Sequence, residues 1–167
     1  GTGDNASDAA NLTGSTQDAV ATFSPSSVEG LTVTAGISTK ELNDGLTTTS
    51  DTNTVMGRVV YSMGAVSVGY QVAEIDTGAA GTASTDVDAF SIAFNVNENL
   101  AVSYGEYDKE LNAIGATAAV TEESTGISVA YTTGAASVRM TRNDSDNDGH
   151  TVGNEQQVTE ISVVLAF

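Results

Sequence analysis

The chain has 167 residues, including 17 Gly, one Pro, one His and no Cys or Trp. Its five Lys and Arg against 22 Asp and Glu give a formal net charge of −17, which argues against nucleic acid as a partner because phosphate contacts need basic side chains. Without cysteine there are no disulfides or thiolate metal sites, and a single histidine leaves little equipment for catalysis, so we do not expect an enzyme. The length suits one domain, and the many Thr, Ser, Ala and Val residues favour an all-β fold.

The first thirty residues give the weakest structural signals. Residues 1–16 are rich in Gly, Asn, Asp, Ala and Thr and predict a loop or linker. Residues 17–30 predict a weak strand followed by a turn at Ser24-Pro25. In residues 31–167, apolar side chains recur at every second position, which is typical of strands. They predict eight strands, at 31–38, 55–63, 66–73, 89–96, 100–104, 127–131, 136–140 and 158–167.

The predicted connections alternate in length along the chain. Residues 62–65, 95–99 and 133–135 form short turns, whereas residues 40–54, 74–88, 108–123 and 143–157 form long connections that hold 15 of the 22 acidic residues. No apolar run approaches the roughly 18 residues of a membrane helix. Short turns alternating with long loops predict an antiparallel transmembrane β-barrel. The acidic residues fit charges kept out of a lipid-facing band, although loops that are simply solvated would also be acidic.

The two faces of the predicted strands differ in side-chain size. One face carries the apolar residues, and its aromatics are predicted to form girdles at the membrane interfaces: Tyr61, Tyr70, Phe90, Phe94, Tyr104, Tyr131 and Phe167. The other face carries mostly Gly, Ala, Ser and Thr. An eight-stranded barrel is filled by its inward side chains, so small inward residues favour a wide, water-filled lumen. We therefore expect the eight or nine strands to be part of a roughly sixteen-stranded barrel, with a self-closed eight-stranded barrel as the alternative.

Three arginines are candidate pore-lining residues. Arg58 and Arg139 fall on the small-residue face of their strands, and Arg142 is placed near the outer mouth. The alternative is that Arg58 and Arg139 are ordinary lumen-facing charges with no special role. The excess of acid in the long connections predicts a weak preference for cations, since a negative mouth attracts them.

Residues 144–155 match the template of a calcium-binding loop, with acids at the first, third and fifth positions, Gly at the sixth and Glu at the twelfth. Ca²⁺ prefers six to eight oxygen ligands, which such a loop can supply. The flanking strands and the Thr at the eighth position depart from the template, and a solvated acidic loop is the alternative. No other cofactor is expected. The candidate ligands are Asp144, Asp146, Asp148, His150 (by its carbonyl) and Glu155.

Taken together, the terminal strand ending on Phe167, the hairpin around Ser24-Pro25 and the hairpin rhythm resemble the carboxy-terminal part of a Gram-negative general porin. The resemblance implies a bacterial outer-membrane location and passive diffusion of small hydrophilic solutes and ions. It also implies a homotrimer, and recognition of Phe167 by the outer-membrane assembly machinery. In that family basic residues on the wall face an acidic inward loop, and the resemblance assigns Arg58 and Arg139 to the wall.

Two other functions fit parts of the pattern. An eight-stranded outer-membrane anchor or adhesin would have the same strands but would not conduct ions. A secreted acidic β-sandwich of a surface layer would also lack cysteine and be rich in Thr and Gly, but it would bury its apolar face against a second sheet. Residues 1–167 are treated as a single domain, either a whole barrel or its C-terminal half.

Overall fold

The computed structural model describes residues 15–41, 51–78 and 81–165. They form one nine-stranded antiparallel sheet in which each strand pairs with its neighbours in sequence. The predicted all-β fold is confirmed, and the weak segment after residue 16 is a regular strand. The strands are β1 Thr16–Phe23, β2 Leu31–Lys40, β3 Thr52–Met63, β4 Val66–Asp76, β5 Thr85–Asn95, β6 Leu100–Leu111, β7 Val120–Thr133, β8 Ala136–Asp146 and β9 Gln156–Leu165.

The tight turns follow from glycine at a position that needs a positive φ. The β3–β4 turn consists of Gly64 and Ala65, with φ of 58° at Gly64, and the β7–β8 turn consists of Gly134 and Ala135, with φ of 54° at Gly134. Glycine first in a two-residue turn is the pattern of type II′ hairpins, whose twist matches that of the strands. The Ser-Pro turn is closed by bonds from the Val28 amide to the Pro25 carbonyl and from the Leu31 amide to the Val28 carbonyl.

The long connections are shorter than the sequence predicted. Strands β4 to β8 continue through acidic segments that were expected to be loops, so that the connections reduce to residues 77–84, 112–119 and 147–155. The β2–β3 connection spans residues 41–51, most of which lie outside the described part of the chain. The prediction of acidic loops is therefore wrong for β4 to β8, because the carboxylates there alternate with apolar residues and sustain the strand.

The sheet is a single layer with two free edges. Within the described ranges, neither β1 nor β9 has a second partner strand, and no second sheet packs on either face. The two-sheet sandwich is therefore not what these residues form. The only helical segment among them is the short 3-10 turn Asp148–His150, and none of the described helices has the length and apolar character needed to cross a membrane.

Candidate functional site: the two faces of the sheet

The strand register separates the side chains into two chemically distinct faces. Partners across antiparallel strands point to the same side, so Val33, Val59, Tyr70 and Phe90, which are paired in succession, lie on one face that we call the apolar face. Its aromatic residues within the described part of the chain include all the predicted girdle residues except Phe167, which lies outside it. They are Phe23, Tyr61, Tyr70, Phe90, Phe94, Tyr104 and Tyr131.

The opposite side, which we call the small-residue face, is lined by Ser, Thr, Ala and Gly. Thr32, Ser67, Ser91 and Ser128 are typical members. Arg58 and Arg139 lie on this face, as predicted, and the Arg139 Nε donates a hydrogen bond to Ser128 Oγ at 3.1 Å. Arg142 does not join them. It pairs with Ile127 and Thr159 on the apolar face, so the strand pairing separates it from the other two arginines.

Toward the long connections, the apolar face becomes a band of carboxylates, which we call the acidic band. Several of its members are direct cross-strand partners: Asp88 faces Asp108, which also faces Glu123. Like charges opposite one another are destabilising unless water screens them, so this band must be solvated. The one salt bridge within the described ranges joins Arg142 to Asp144 at 3.1 Å, inside the band. The members are Glu74, Asp76, Asp86, Asp88, Glu106, Asp108, Glu110, Glu123, Asp144 and Asp146.

Behind the acidic band, the small-residue face becomes apolar. Met56, Ile75, Val87, Leu111 and Val120 lie there, and we call them the inner cluster. Val87 is only 5% exposed and is the one buried apolar side chain of the described part. The polarity of the two faces is thus reversed between the two ends of the sheet. Near the short turns the apolar side chains lie on one face, and near the long connections they lie on the other.

The edge between the apolar and acidic parts of the apolar face runs diagonally across the sheet. On this face, Ile37 of β2 and Ile161 of β9 are the last apolar residues before polar ones toward the long connections. Successive cross-strand partners of Ile161 lead to Met63 on β3, whereas the β3 partner of Ile37 is Val55. The edge therefore shifts by eight residues, or roughly 26 Å along the strands, between β2 and β9, which are separated by seven strand spacings, or roughly 34 Å. We call the straight line from Ile37 to Ile161 the polarity line. It implies strands tilted by about 40°, as in membrane barrels.

The aromatic side chains form two rows parallel to this line. Tyr70, Phe90 and Tyr104 lie within two residues of it, on the apolar side. A second row, about four to five residues from the line toward the short turns, consists of Phe23, Tyr61, Phe94 and Tyr131. In the first row, the Tyr70 hydroxyl donates to Asp88 and the Tyr104 hydroxyl to Glu106, both at 2.6 Å. Each ring therefore lies in the apolar band with its hydroxyl toward the acidic band, as expected at a membrane interface.

A family model described as Gram-negative porin matches residues 1–166. The chain belongs to the Gram-negative porin family. No curated protein and no solved structure matches the chain in the other two comparisons. Membership places this porin in the bacterial outer membrane, as a membrane-embedded channel for small solutes rather than an enzyme. The resemblance found in the sequence is thereby confirmed.

The candidate calcium loop of the porin is divided between different elements. Asp144 and Asp146 belong to β8, where Asp144 accepts hydrogen bonds from Arg142 and Gln157, and Asp148 and His150 lie in the 3-10 turn. The turn folds onto β7, since the side-chain Nδ2 of Asn147, next to the turn, donates to the Thr121 carbonyl at 3.0 Å. Within the parts of the chain that the structure describes, no three carboxylate or imidazole side chains are grouped to hold a metal. Calcium binding stays a prediction, which calorimetry on the wild type and Asp148→Asn would test.

Proposed function

We propose that this porin is a water-filled diffusion channel for small hydrophilic solutes and ions, with the small-residue face toward the lumen and the apolar face toward lipid. The separation of the two faces along the polarity line supports this assignment most directly. Apolar and aromatic side chains are compatible with acyl chains, whereas hydroxyl and small side chains leave room for water. Passage then needs no chemical step, and it depends on lumen width and wall charge.

The free edges of the sheet support completion by further strands. Unpaired backbone groups cannot face hydrocarbon, so the outer edges of β1 and β9 need partners in the membrane. Because the sheet has nine strands in up-and-down order, β1 and β9 run in the same direction, and antiparallel closure requires an odd number of additional strands. A roughly sixteen-stranded barrel would add about seven. The self-closed eight-stranded alternative would pair β2 with β9, but the edge of β2 is occupied by β1.

The charge distribution supports a weak preference for cations. The net charge is −17, and ten carboxylates of the acidic band surround the end of the sheet that carries the long connections. A negative potential at a channel entrance raises the local concentration of cations, and salt screens it over about 10 Å at 0.1 M.

Planar bilayer recordings test the function. The intact protein, extracted from outer membranes in detergent, should insert as stepwise ohmic conductances. Under a KCl gradient, the reversal potential should have the sign of a channel that prefers K⁺. Anion preference would contradict the charge argument, and binding to membranes without any conductance would favour a non-conducting anchor.

We further propose, from the family, that the porin assembles as a homotrimer and that Phe167 serves as the signal for the assembly machinery. Phe167 lies outside the described residues. The mass of the detergent-solubilised assembly would give the number of copies. Outer-membrane levels of Phe167→Ala compared with wild type would test the terminal signal, and unchanged levels would contradict it.

A further inference from the structure

The small-residue face carries seven charged side chains within the described strands, and they differ in their distance from the polarity line. They are Asp18, Lys40, Arg58, Lys109, Glu122, Arg139 and Glu160. Lys40, Lys109 and Glu122 lie about three to five residues beyond the line, toward the long connections, at the level of the acidic band and the inner cluster. Lys109 and Glu122 are also direct cross-strand partners of opposite sign. These three are poorly placed to influence the lumen within the membrane.

The other four all lie within about two residues of the line. The cross-strand partners of Arg58 and Arg139 are far apart. Successive partners of Arg58 lead to Ala89 on β5 and those of Arg139 lead to Asn95, six residues or roughly 20 Å away along that strand. Measured from the tilted polarity line, however, each arginine lies about two residues toward the short turns. Asp18 lies where the line, extended by one strand, crosses β1. On β9, Glu160 lies about one residue from the line, toward the long connections.

We infer that Asp18, Arg58, Arg139 and Glu160 form a belt of charges close to the polarity line and set the ion selectivity of the channel. Nothing in the sequence pattern had singled out the two acids. This inference rests on the proposed diffusion channel, and it adds selectivity residues on the wall strands themselves. The two acids draw cations into the belt and the two arginines oppose them, so the acids contribute cation preference at the belt in addition to that of the acidic band.

Depth is what gives these four charges their influence. At the polarity line and toward the short turns, where Asp18 and the two arginines lie, the proposed channel wall has hydrocarbon behind it, and Glu160 lies about one residue from that region. A low-dielectric wall directs the field of a lumen charge into the water of the lumen. The acidic band has water on its own side and is screened there. None of the four forms a salt bridge within the described ranges, and Asp18, Arg58, Arg139 and Glu160 are all exposed. Their charges are therefore available to passing ions.

The test compares charge removal inside and outside the belt in planar bilayers under a KCl gradient. In Asp18→Asn/Glu160→Gln, the K⁺ to Cl⁻ permeability ratio should fall by about two- to threefold, as expected for two screened charges near the ion path. In Arg58→Gln/Arg139→Gln the ratio should rise by a similar factor. The control Glu74→Gln/Glu123→Gln removes the same two negative charges from the acidic band and should change the ratio much less.

The outcomes separate this inference from the proposed function. If the wild type conducts and the Asp18/Glu160 variant matches it, the belt is refuted while the diffusion channel stands. An equal shift in the Glu74/Glu123 control would also refute it, since only total charge would then matter. A wild type that does not conduct would overturn both. Conductance steps of similar size in 1 M KCl, where salt screens fixed charges over about 3 Å, verify that the barrels are intact in each variant.

Discussion

At the scale of single residues, Gly30 is the position with the tightest steric constraint. Its φ is 81°, its carbonyl accepts a 2.9 Å hydrogen bond from the Ser62 amide, and a Cβ built on it would lie 1.9 Å from the Ser62 carbonyl oxygen. Gly30→Ala therefore combines a strained φ with a collision against backbone that cannot move without breaking the β2–β3 pairing. We expect a loss of about 2–5 kcal/mol in the free energy of unfolding, measured by urea unfolding in detergent micelles.

Gly153→Ala is the matched control for Gly30→Ala. Gly153 has nearly the same φ, 77°, but a Cβ added to it would meet no atom within 4 Å. It isolates the conformational cost, about 1–2 kcal/mol. Equal losses in the two variants would show that the approach to Ser62 adds nothing.

The arginines show what residue spacing alone can predict. Arg139 and Arg142 are three positions apart in β8, so an unbroken strand places them on opposite faces. This placement needs β8 to continue past residue 140, whereas the acidic residues 143–157 predict a long connection there. Asp18 and Glu160 are equally visible in the sequence, yet their closeness to the polarity line depends on pairing across the whole sheet.

At the scale of strands, the acidic segments were predicted wrongly because their alternation has the opposite phase. In β4 and β5, Ile75 and Val87 occupy the face that carries Ser67 and Ser91 nearer the short turns. Within the bilayer, the outer face of a strand needs apolar side chains because it meets lipid. Outside the bilayer, water borders the outer face, and the inner face becomes the apolar core instead. A reversal of phase within one strand is therefore a sequence signal for the membrane boundary.

The inner cluster should stabilise these strand ends. Val87 is 5% exposed, and Val87→Ala leaves a cavity there, so we expect about 1–3 kcal/mol less stability. Amide hydrogen exchange should become faster in residues 73–76 and 85–88, while the backbone amides nearer the short turns keep their protection from exchange. Val158→Ala on the same face is the comparison, since Val158 is 54% exposed. Faster exchange throughout the sheet, rather than at the strand ends alone, would contradict a local role for the cluster.

At the scale of the whole molecule, the hairpin order and the two faces followed from the sequence, whereas the tilt did not. Alternation fixes which side chains share a face within one strand, and turn signals fix the neighbours. The offset of one strand against the next depends on where each turn closes. The eight-residue shift of the polarity line between β2 and β9 is the sum of these offsets, and no local pattern contains it.

The polarity line predicts membrane depth, and the absence of tryptophan allows single-Trp variants to report it. Ile37→Trp and Ile161→Trp should be quenched equally by lipids brominated at a given carbon, because both lie on the line. Successive cross-strand partners of Ile37 form a row that reaches Thr121 on β7. Because the line is tilted against this row, Thr121 lies roughly 15 Å from the line, toward the long connections.

Thr121→Trp should therefore escape quenching by brominated lipid and be quenched by aqueous iodide. If the cross-strand rows ran parallel to the membrane instead, Thr121→Trp would match Ile37→Trp, and Ile161→Trp would lie far deeper. A further pair, Ser91→Trp and Ile92→Trp, separates depth from face. Ile92 lies on the apolar face, so Ile92→Trp should be quenched by brominated lipid and Ser91→Trp should not. Equal lipid quenching of these two neighbours would overturn the assignment of the small-residue face to water, and with it the tilt.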